Sequence, residues 1–352
     1  MRVIYTIFIC FFCYCVTACD SKSTSDIQPS SATAKDHLSK KRDTVTVYSS
    51  RAEHLIKPLF DQYESETGIE VRYITDKEAA LITRLSAEGA RTPADIFLTV
   101  DVGNLWHAQS LGLLRPVSSP RLERNIPANL REQNNHWVAL SIRARTMVYS
   151  TERVEPTNLS SYEALAGDDW AGRLCLRTAK KVYNQSLVAS LISANGEEKT
   201  EQMVEGWVAN LAVDPLSNDT KAMEAVINGV CDVTLVNTYY FGRLIAARKD
   251  APINIFWANQ SDRGVHINVS GAGVTAQAKN PEGAVALLEW LSAGEAQRLF
   301  AGLNKEFPVN PDVSAVEEVA AWGEFKADSL EVDKIGQLQA AAVKLMDRAG
   351  YR

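Results

Sequence analysis

Tyr239 and Tyr240 stand side by side at the end of the apolar run Leu235-Val236-Asn237-Thr238, and each phenol becomes a hard anionic oxygen donor once deprotonated. Ligand type is one way a protein site selects its metal, and phenolate oxygen suits ferric iron. Tyrosinate also serves as the iron ligand in some haem proteins. Successive side chains of a strand point to opposite faces, so neighbouring tyrosines converge on one point only where the strand has ended and the chain turns. The competing reading is amphipathic packing, with the two hydroxyls at the rim of a core.

Catalysis finds little support. His37 lies in a polar N-terminal stretch and His107, His136 and His266 are scattered. No Cys/His metal spacing, phosphate-cradling Gly-Lys loop or nucleophile-elbow serine is present in the sequence. The chain reads as a binding protein.

Residues Ile4 to Val16 are apolar behind Arg2 and too few for a comfortable membrane span of about 20 residues. They run into Val16-Thr17-Ala18-Cys19, so residues 1–18 read as a secretory signal with a lipobox, and Cys19 as the residue that takes the lipid. Asp20 after that cysteine resembles the inner-membrane retention signal of enteric bacteria, which favours an anchor in the inner membrane. From Asp20 to Lys41 the chain is mostly Ser, Thr, Lys and Asp, too polar to offset its ordering entropy, so residues 19–43 read as a flexible tether.

The chain carries 37 Lys and Arg against 43 Asp and Glu. Cleavage removes only Arg2 among the charges, and the mildly acidic remainder does not look like a nucleic-acid binder. Cys175 and Cys231 then form an even pair in an oxidising compartment, and a disulfide between them is expected.

The elements that must position the tyrosines can be read from periodicity. Thr44 to Val47 alternates as a strand; Leu55, Ile56, Leu59, Phe60 and Tyr63 follow at helical spacing, and Gly68 stops that helix. Strand Ile69–Ile74, helix Ala79–Leu85, strand Ile96–Val100 and helix Leu105–Ser110 continue the alternation, which implies parallel strands joined by right-handed crossovers. Beyond the β-rich run Trp137–Tyr149, strand Arg173–Leu176, helices Gln185–Ser193 and Val204–Leu211 and strand Val230–Val236 repeat the pattern as a second lobe. Val265–Val274 is another β-rich run, with Gly271-Ala272-Gly273 read as tight hinge packing. A helix opens at Asn280-Pro281, and Leu338–Met346 reads as a closing helix. The part beyond the tether exceeds the usual size of one hydrophobic core, again favouring two lobes.

The order of these elements, together with Val47-Tyr48-Ser49-Ser50-Arg51, Thr92-Pro93-Ala94-Asp95, Ser141-Ile142-Arg143-Ala144-Arg145, Tyr183-Asn184-Gln185-Ser186-Leu187, Asn237-Thr238-Tyr239-Tyr240 and Glu306-Phe307-Pro308-Val309-Asn310, resembles periplasmic ferric-ion-binding proteins of ABC iron importers. That resemblance implies an α/β, two-lobed periplasmic binding protein fold of type II. Each lobe would be a central mixed sheet flanked by helices, joined by a two-strand hinge. Residues 44–143 and 267–318 would form the N-terminal lobe, and residues 144–266 and 319–352 the C-terminal lobe.

The resemblance also implies a monomeric receptor that closes on Fe(III) and delivers it to an ABC permease. Tyr239 and Tyr240 match the shared ligand pair, and Tyr183 matches the further tyrosine of the tyrosine-rich subgroup. The first lobe departs from the family pattern: Ala52 and Glu53 stand where a histidine, or a histidine and tyrosine, is usual, and Val100 cannot ligate. Glu53, His54 and Asp101 are the first-lobe candidates by position, with a water or a synergistic anion such as carbonate as the other way to fill the gap. Arg143 falls where the family keeps an arginine near the metal or its anion, with Arg145 two residues on along the same strand face. The alternative on the same scaffold is a receptor for an organic acid or polyamine, with the aromatic rings as stacking walls; a periplasmic enzyme is the other class of reading.

Overall fold

The computed structural model describes residues 44–330 and 332–352; the expected signal peptide, the tether and Cys19 lie outside the described residues. The first part of the chain alternates as its periodicity predicts. Strand β1 (Thr44–Ser49) leads to helix α1 (Glu53–Thr67), β2 (Glu70–Thr75) to α2 (Glu78–Glu88), and β3 (Ile96–Val100) to α3 (Val102–Ser110). Helix α1 buries Ile56, Leu59, Phe60 and Tyr63, the stripe that marked it, and each is worth about 2 kcal/mol of burial. Gly68 ends it in the left-handed region, at φ +73°, with its N–H donating to the Glu64 carbonyl.

After the short helix α4 (Pro120–Asn125) comes β4 (Val138–Ser150), then β5 (Leu174–Cys175), α5 (Val182–Asn195), α6 (Glu197–Ala209), α7 (Asp219–Ile227), β6 (Val233–Asn237), α8 (Thr238–Ala247) and β7 (Ile253–Phe256). The last part holds β8 (Ile267–Val274), α9 (Pro281–Leu291), α10 (Gly294–Leu303), the short α11 (Glu317–Ala320) and α12 (Val332–Arg348). None of these helices is long and apolar enough to cross a membrane. Helix α12 packs on both α5 and α3.

The strand order is β2-β1-β3-β8-β4-β6-β5, with β7 on β4. β1 pairs in parallel with β2 and β3, as the crossovers require, while β3 and β4 pair antiparallel with β8. Both sheets are mixed. The long strand β4 belongs to both: Val138–Ala144 pair with β8, and Arg145–Tyr149 pair with β6. The handover falls between Arg143, opposite Asn268, and Arg145, opposite Asn237. Glycine permits the close approach of β8 to β4, because a Cβ at Gly271 would lie 2.5 Å from the Val138 carbonyl oxygen.

Several boundaries differ from the periodicity. The strand expected over Arg173–Leu176 is only Leu174–Cys175, and that over Val230–Val236 begins at Val233, because Gly229 at φ +74° holds a turn before it. Helix α5 begins at Val182 rather than Gln185, which puts Tyr183 in its first turn. β7 and α7 carried no separate signal; β7 has four residues and follows Pro252.

Candidate metal centre

The strand β6 is buried along its whole length and ends at Asn237; α8 begins with the next residue. Tyr239 and Tyr240 therefore occupy the first turn of a helix, where neighbouring side chains diverge by only about 100° and can share one cavity. Tyr183 occupies the first turn of α5, so all three phenols sit at helix N-termini, whose dipole favours negative charge. The Tyr239 and Tyr240 ring centres are 4.5 Å apart, and Tyr183 meets Tyr239 edge-on at 6.5 Å. Asn237 Nδ2 donates to the Tyr239 hydroxyl at 3.2 Å.

The three tyrosines line a cavity of about 200 Å³ together with Arg143, Lys181, Arg243, Asn304 and Glu306, while Ser50, Arg51, Ala52, Leu55, Glu78 and Val100 come from the side of the first sheet. Cationic groups face each ring. Arg143 and Arg177 lie 5.7 and 5.5 Å from the centre of the Tyr183 ring and the Lys181 ammonium 4.9 Å from it; Arg243 lies 4.9 and 4.8 Å from those of Tyr239 and Tyr240.

Burial pushes the Tyr183 phenol up to about 12, with Tyr240 adding to the push and Arg143 opposing it. Burial likewise holds Tyr239 well above the usual range, reinforced by Tyr183 and Tyr240 and opposed by Arg143. Both phenols are thus neutral near pH 7 until a strong cation displaces their protons. With the phenols neutral, the surrounding arginines and lysine disfavour a weakly held cation, and the arrangement suits a highly charged ion that arrives with ionised phenolates.

Arg143 is the group this site leaves most exposed to demand. Its side chain is 1% exposed, and Nε, Nη1 and Nη2 are all buried with no hydrogen-bond partner among the described residues. Its Nη2 lies 3.6 Å from Asp101 Oδ2, an ion pair but too long for a hydrogen bond. Buried donors without acceptors are costly, and a small anion in the cavity would satisfy them in the bidentate manner that guanidinium favours.

The other residues singled out from the sequence are elsewhere. Arg145 points behind the tyrosines, where it donates to Asp219 Oδ1 at 3.0 Å, to Asn237 Oδ1 at 3.2 Å and to the Leu235 carbonyl at 2.9 Å. Asp219 also accepts from Arg177 at 2.6 Å, so this buried triad braces the end of β6. Glu53 and His54 are exposed in the first turn of α1 and do not line the cavity; Glu53 accepts from the Tyr73 hydroxyl. Asp101 is fully buried at φ +90° and also does not line it. Its carboxylate accepts from Ser186 Oγ at 2.9 and 3.0 Å and from Asn268 Nδ2 at 2.8 Å. Ser186 is one turn beyond Tyr183, so Asp101 fixes the helix that carries that phenol. Cys175 and Cys231 are joined by a disulfide, which clamps β5 beside the start of β6.

Sequence reasoning missed Lys181, Arg177, Arg243, Glu78 and Asn304. Arg243 had a signal: on a helix starting at Thr238 it falls four residues after Tyr239 and three after Tyr240, the spacing of facing side chains. Glu78, which forms an ion pair with Lys181 at 3.6 Å, had none.

The sequence profile of bacterial extracellular solute-binding proteins matches residues 58–327. Iron uptake protein A1 of Synechocystis sp. is 43% identical over 314 residues, 88% of this chain and 87% of that protein. The major ferric iron-binding protein of Neisseria meningitidis is 25% identical over 319 residues, 88% of this chain and 93% of that protein. A solved structure of the Trichodesmium protein IdiA (FutA) in complex with iron and citrate superposes with a TM-score of 0.85 at 42% identity, covering 88% of this chain and all of that one. Ferric iron-binding protein A of Mannheimia haemolytica, in an open conformation, gives a TM-score of 0.82 at 35% identity over 88% of this chain and 98% of that one.

Proposed function

The chain belongs to the family of bacterial extracellular solute-binding proteins, and on that footing we propose that it is a periplasmic receptor that binds Fe(III) and delivers it to an ABC permease for iron uptake. The observation that carries this reading is the convergence of Tyr183, Tyr239 and Tyr240 on one small cavity. Three phenolates would balance the three charges of the ion. A volume of about 200 Å³ suits a metal and a small anion; pockets for organic ligands are commonly about 300–1,000 Å³. The relatives named for ferric iron, and the one solved with iron and citrate, support the same reading.

Arg143 is the seat for the synergistic anion, carbonate being the simplest that could bridge metal and guanidinium. Its three unpaired buried nitrogens support this assignment. In this reading the anion, rather than Glu53, His54 or Asp101, completes the coordination toward the first sheet. Cys19 carries the lipid that ties the receptor to the inner membrane, and the receptor works as a monomer. The Cys175–Cys231 disulfide supports an oxidising compartment.

Ferric-ion titration of the protein without its tether, following the visible tyrosinate-to-iron band, tests the reading. The expected result is a band of one-to-one stoichiometry that disappears when Tyr239→Phe and Tyr240→Phe are combined. A wild-type protein with no such band would point instead to an organic acid or polyamine receptor.

A further inference from the structure

Arg243 reaches away from the tyrosines as well as over them. Its Nη1 donates to Asn304 Oδ1 at 3.0 Å. The amide of Asn304 then donates from Nδ2 to Glu306 Oε1 at 2.9 Å. The other carboxylate oxygen, Glu306 Oε2, accepts from Arg51 Nη1 at 2.9 Å and from Ser141 Oγ at 2.7 Å. Arg51 Nη1 also donates to Ser270 Oγ, and Nη2 to the Phe300 carbonyl. The chemistry dictates the direction of this chain: a guanidinium only donates and a carboxylate only accepts, so the amide alone can join them in one orientation.

These residues come from different parts of the fold. Arg243 is on α8, which follows β6 in the second sheet. Asn304 and Glu306 follow α10, which packs on α1 and β4. Arg51 lies two residues beyond the end of β1, and Ser141 and Ser270 lie on the paired strands β4 and β8. The approach is close: a Cβ on Gly242, beside Arg243, would lie 2.9 Å from Lys305 Cδ and 2.6 Å from Trp322 Cζ2. Arg51, Glu306 and Asn304 are buried, so the far end of the chain is rigid, while Arg243 itself is exposed.

We propose that Asn304 is a positioning residue for iron capture: it holds the Arg243 guanidinium over the Tyr239 and Tyr240 rings and ties the phenols to the Arg51–Glu306 pair across the cavity. The proposal rests on the ferric-iron reading and adds to it a means of retention. On the first sheet's side of the cavity Ala52, Leu55 and Val100 offer a metal no side-chain donor, and the Glu78 carboxylate is engaged by Lys181 at 3.6 Å. The tie through Arg243, whose guanidinium carbon lies 4.9 and 4.8 Å from the centres of the Tyr239 and Tyr240 rings, supplies the cross-cavity hold.

The test compares wild type with Asn304→Ala, Arg243→Gln and the double variant, all loaded with Fe(III) and then mixed with a large excess of EDTA while the visible band is followed. Asn304→Ala and Arg243→Gln should each release iron roughly tenfold faster with unchanged stoichiometry, the loss of one charge-assisted hydrogen bond showing mainly in dissociation. Each should move the band to longer wavelength, since removing a cation from the rings raises the donor orbitals. The double variant should be no faster than either single one, the signature of one residue acting through the other. Release and band unchanged in Arg243→Gln, a substitution at an exposed side chain that leaves the fold intact, would overturn the proposal and leave the receptor reading standing. Additive effects in the double variant would also overturn it, leaving Asn304 a structural residue. Absence of any band in wild type would remove both.

Discussion

The Arg143 guanidinium lies between the Tyr183 ring, 5.7 Å from its carbon, and the Asp101 carboxylate, 3.6 Å from its Nη2, and hydrogen-bonds to neither. Burial pushes the Asp101 carboxyl up, and Arg143 opposes that push. A charge so enclosed and so poorly paired is poised for an anion that enters with the metal.

Iron loading should therefore depend on a small anion and on Arg143. Removing bicarbonate from the buffer should weaken the visible band in wild type and restoring it should recover the band. Arg143→Ala should lower apparent iron affinity by roughly tenfold to a hundredfold, the worth of charge-assisted hydrogen bonds, and should abolish the response to bicarbonate. Equal loading of wild type with and without every added anion would contradict this.

Acid should release the iron. Tyr183 and Tyr239 are held protonated up to unusually high pH by burial, so each loses its proton only in exchange for the metal. Lower pH shifts that exchange toward the protonated phenols and the free ion. A titration of the loaded protein from pH 7 downward should bleach the band, and Tyr183→Phe should bleach at higher pH. A band retained into strong acid would exclude phenolate ligation.

His266 should make the iron-free protein acid-sensitive. It is buried, its Nε2 has no partner among the described residues, and burial, aided by Arg145, Arg143 and Arg263, lowers it to about 3. The unfolded chain takes up this proton near pH 6.5 and the folded one only near 3. The stability contributed is therefore complete above pH 6.5 and is lost as pH falls between the two, by about 2 kcal/mol at pH 5. Urea unfolding at pH 7 and pH 5 should show that loss, and His266→Gln should reduce it.

Cys175 and Cys231 enclose a separation of 56 residues, for which chain entropy gives about 4 kcal/mol. The double substitution of both by serine should lower stability by that order in urea unfolding, while iron stoichiometry stays at one. Because the bond clamps the base of β6, release of iron should also quicken in this variant. Recovery of both as free thiols by non-reducing peptide mapping of the secreted protein would contradict the pairing.

The alternation of strand and helix was legible from residue 44 onward because buried strands and amphipathic helices carry distinct periods. Ile56, Leu59, Phe60 and Tyr63 announce α1, and Gly68 announces its end, through local chemistry alone. The mixed character of the sheets was not read from that periodicity, for β8 returns antiparallel to β3 across a long separation and packs close to β4 only because residue 271 is glycine. Tyr239 and Tyr240 were conspicuous because two phenols at a strand end make poor packing. The resemblance to ferric-ion-binding proteins marked Tyr183 as their companion. That the three rings meet, that the Arg143 nitrogens stay without hydrogen-bond partners among the described residues while Arg145 is consumed by Asp219, and that Glu53 and His54 face solvent while Asp101 is sealed behind the site were decided by tertiary structure. The reason is that period tells which face of an element is buried, whereas partners such as Arg177, Lys181 and Asn304 are chosen by how separately folded elements approach in space.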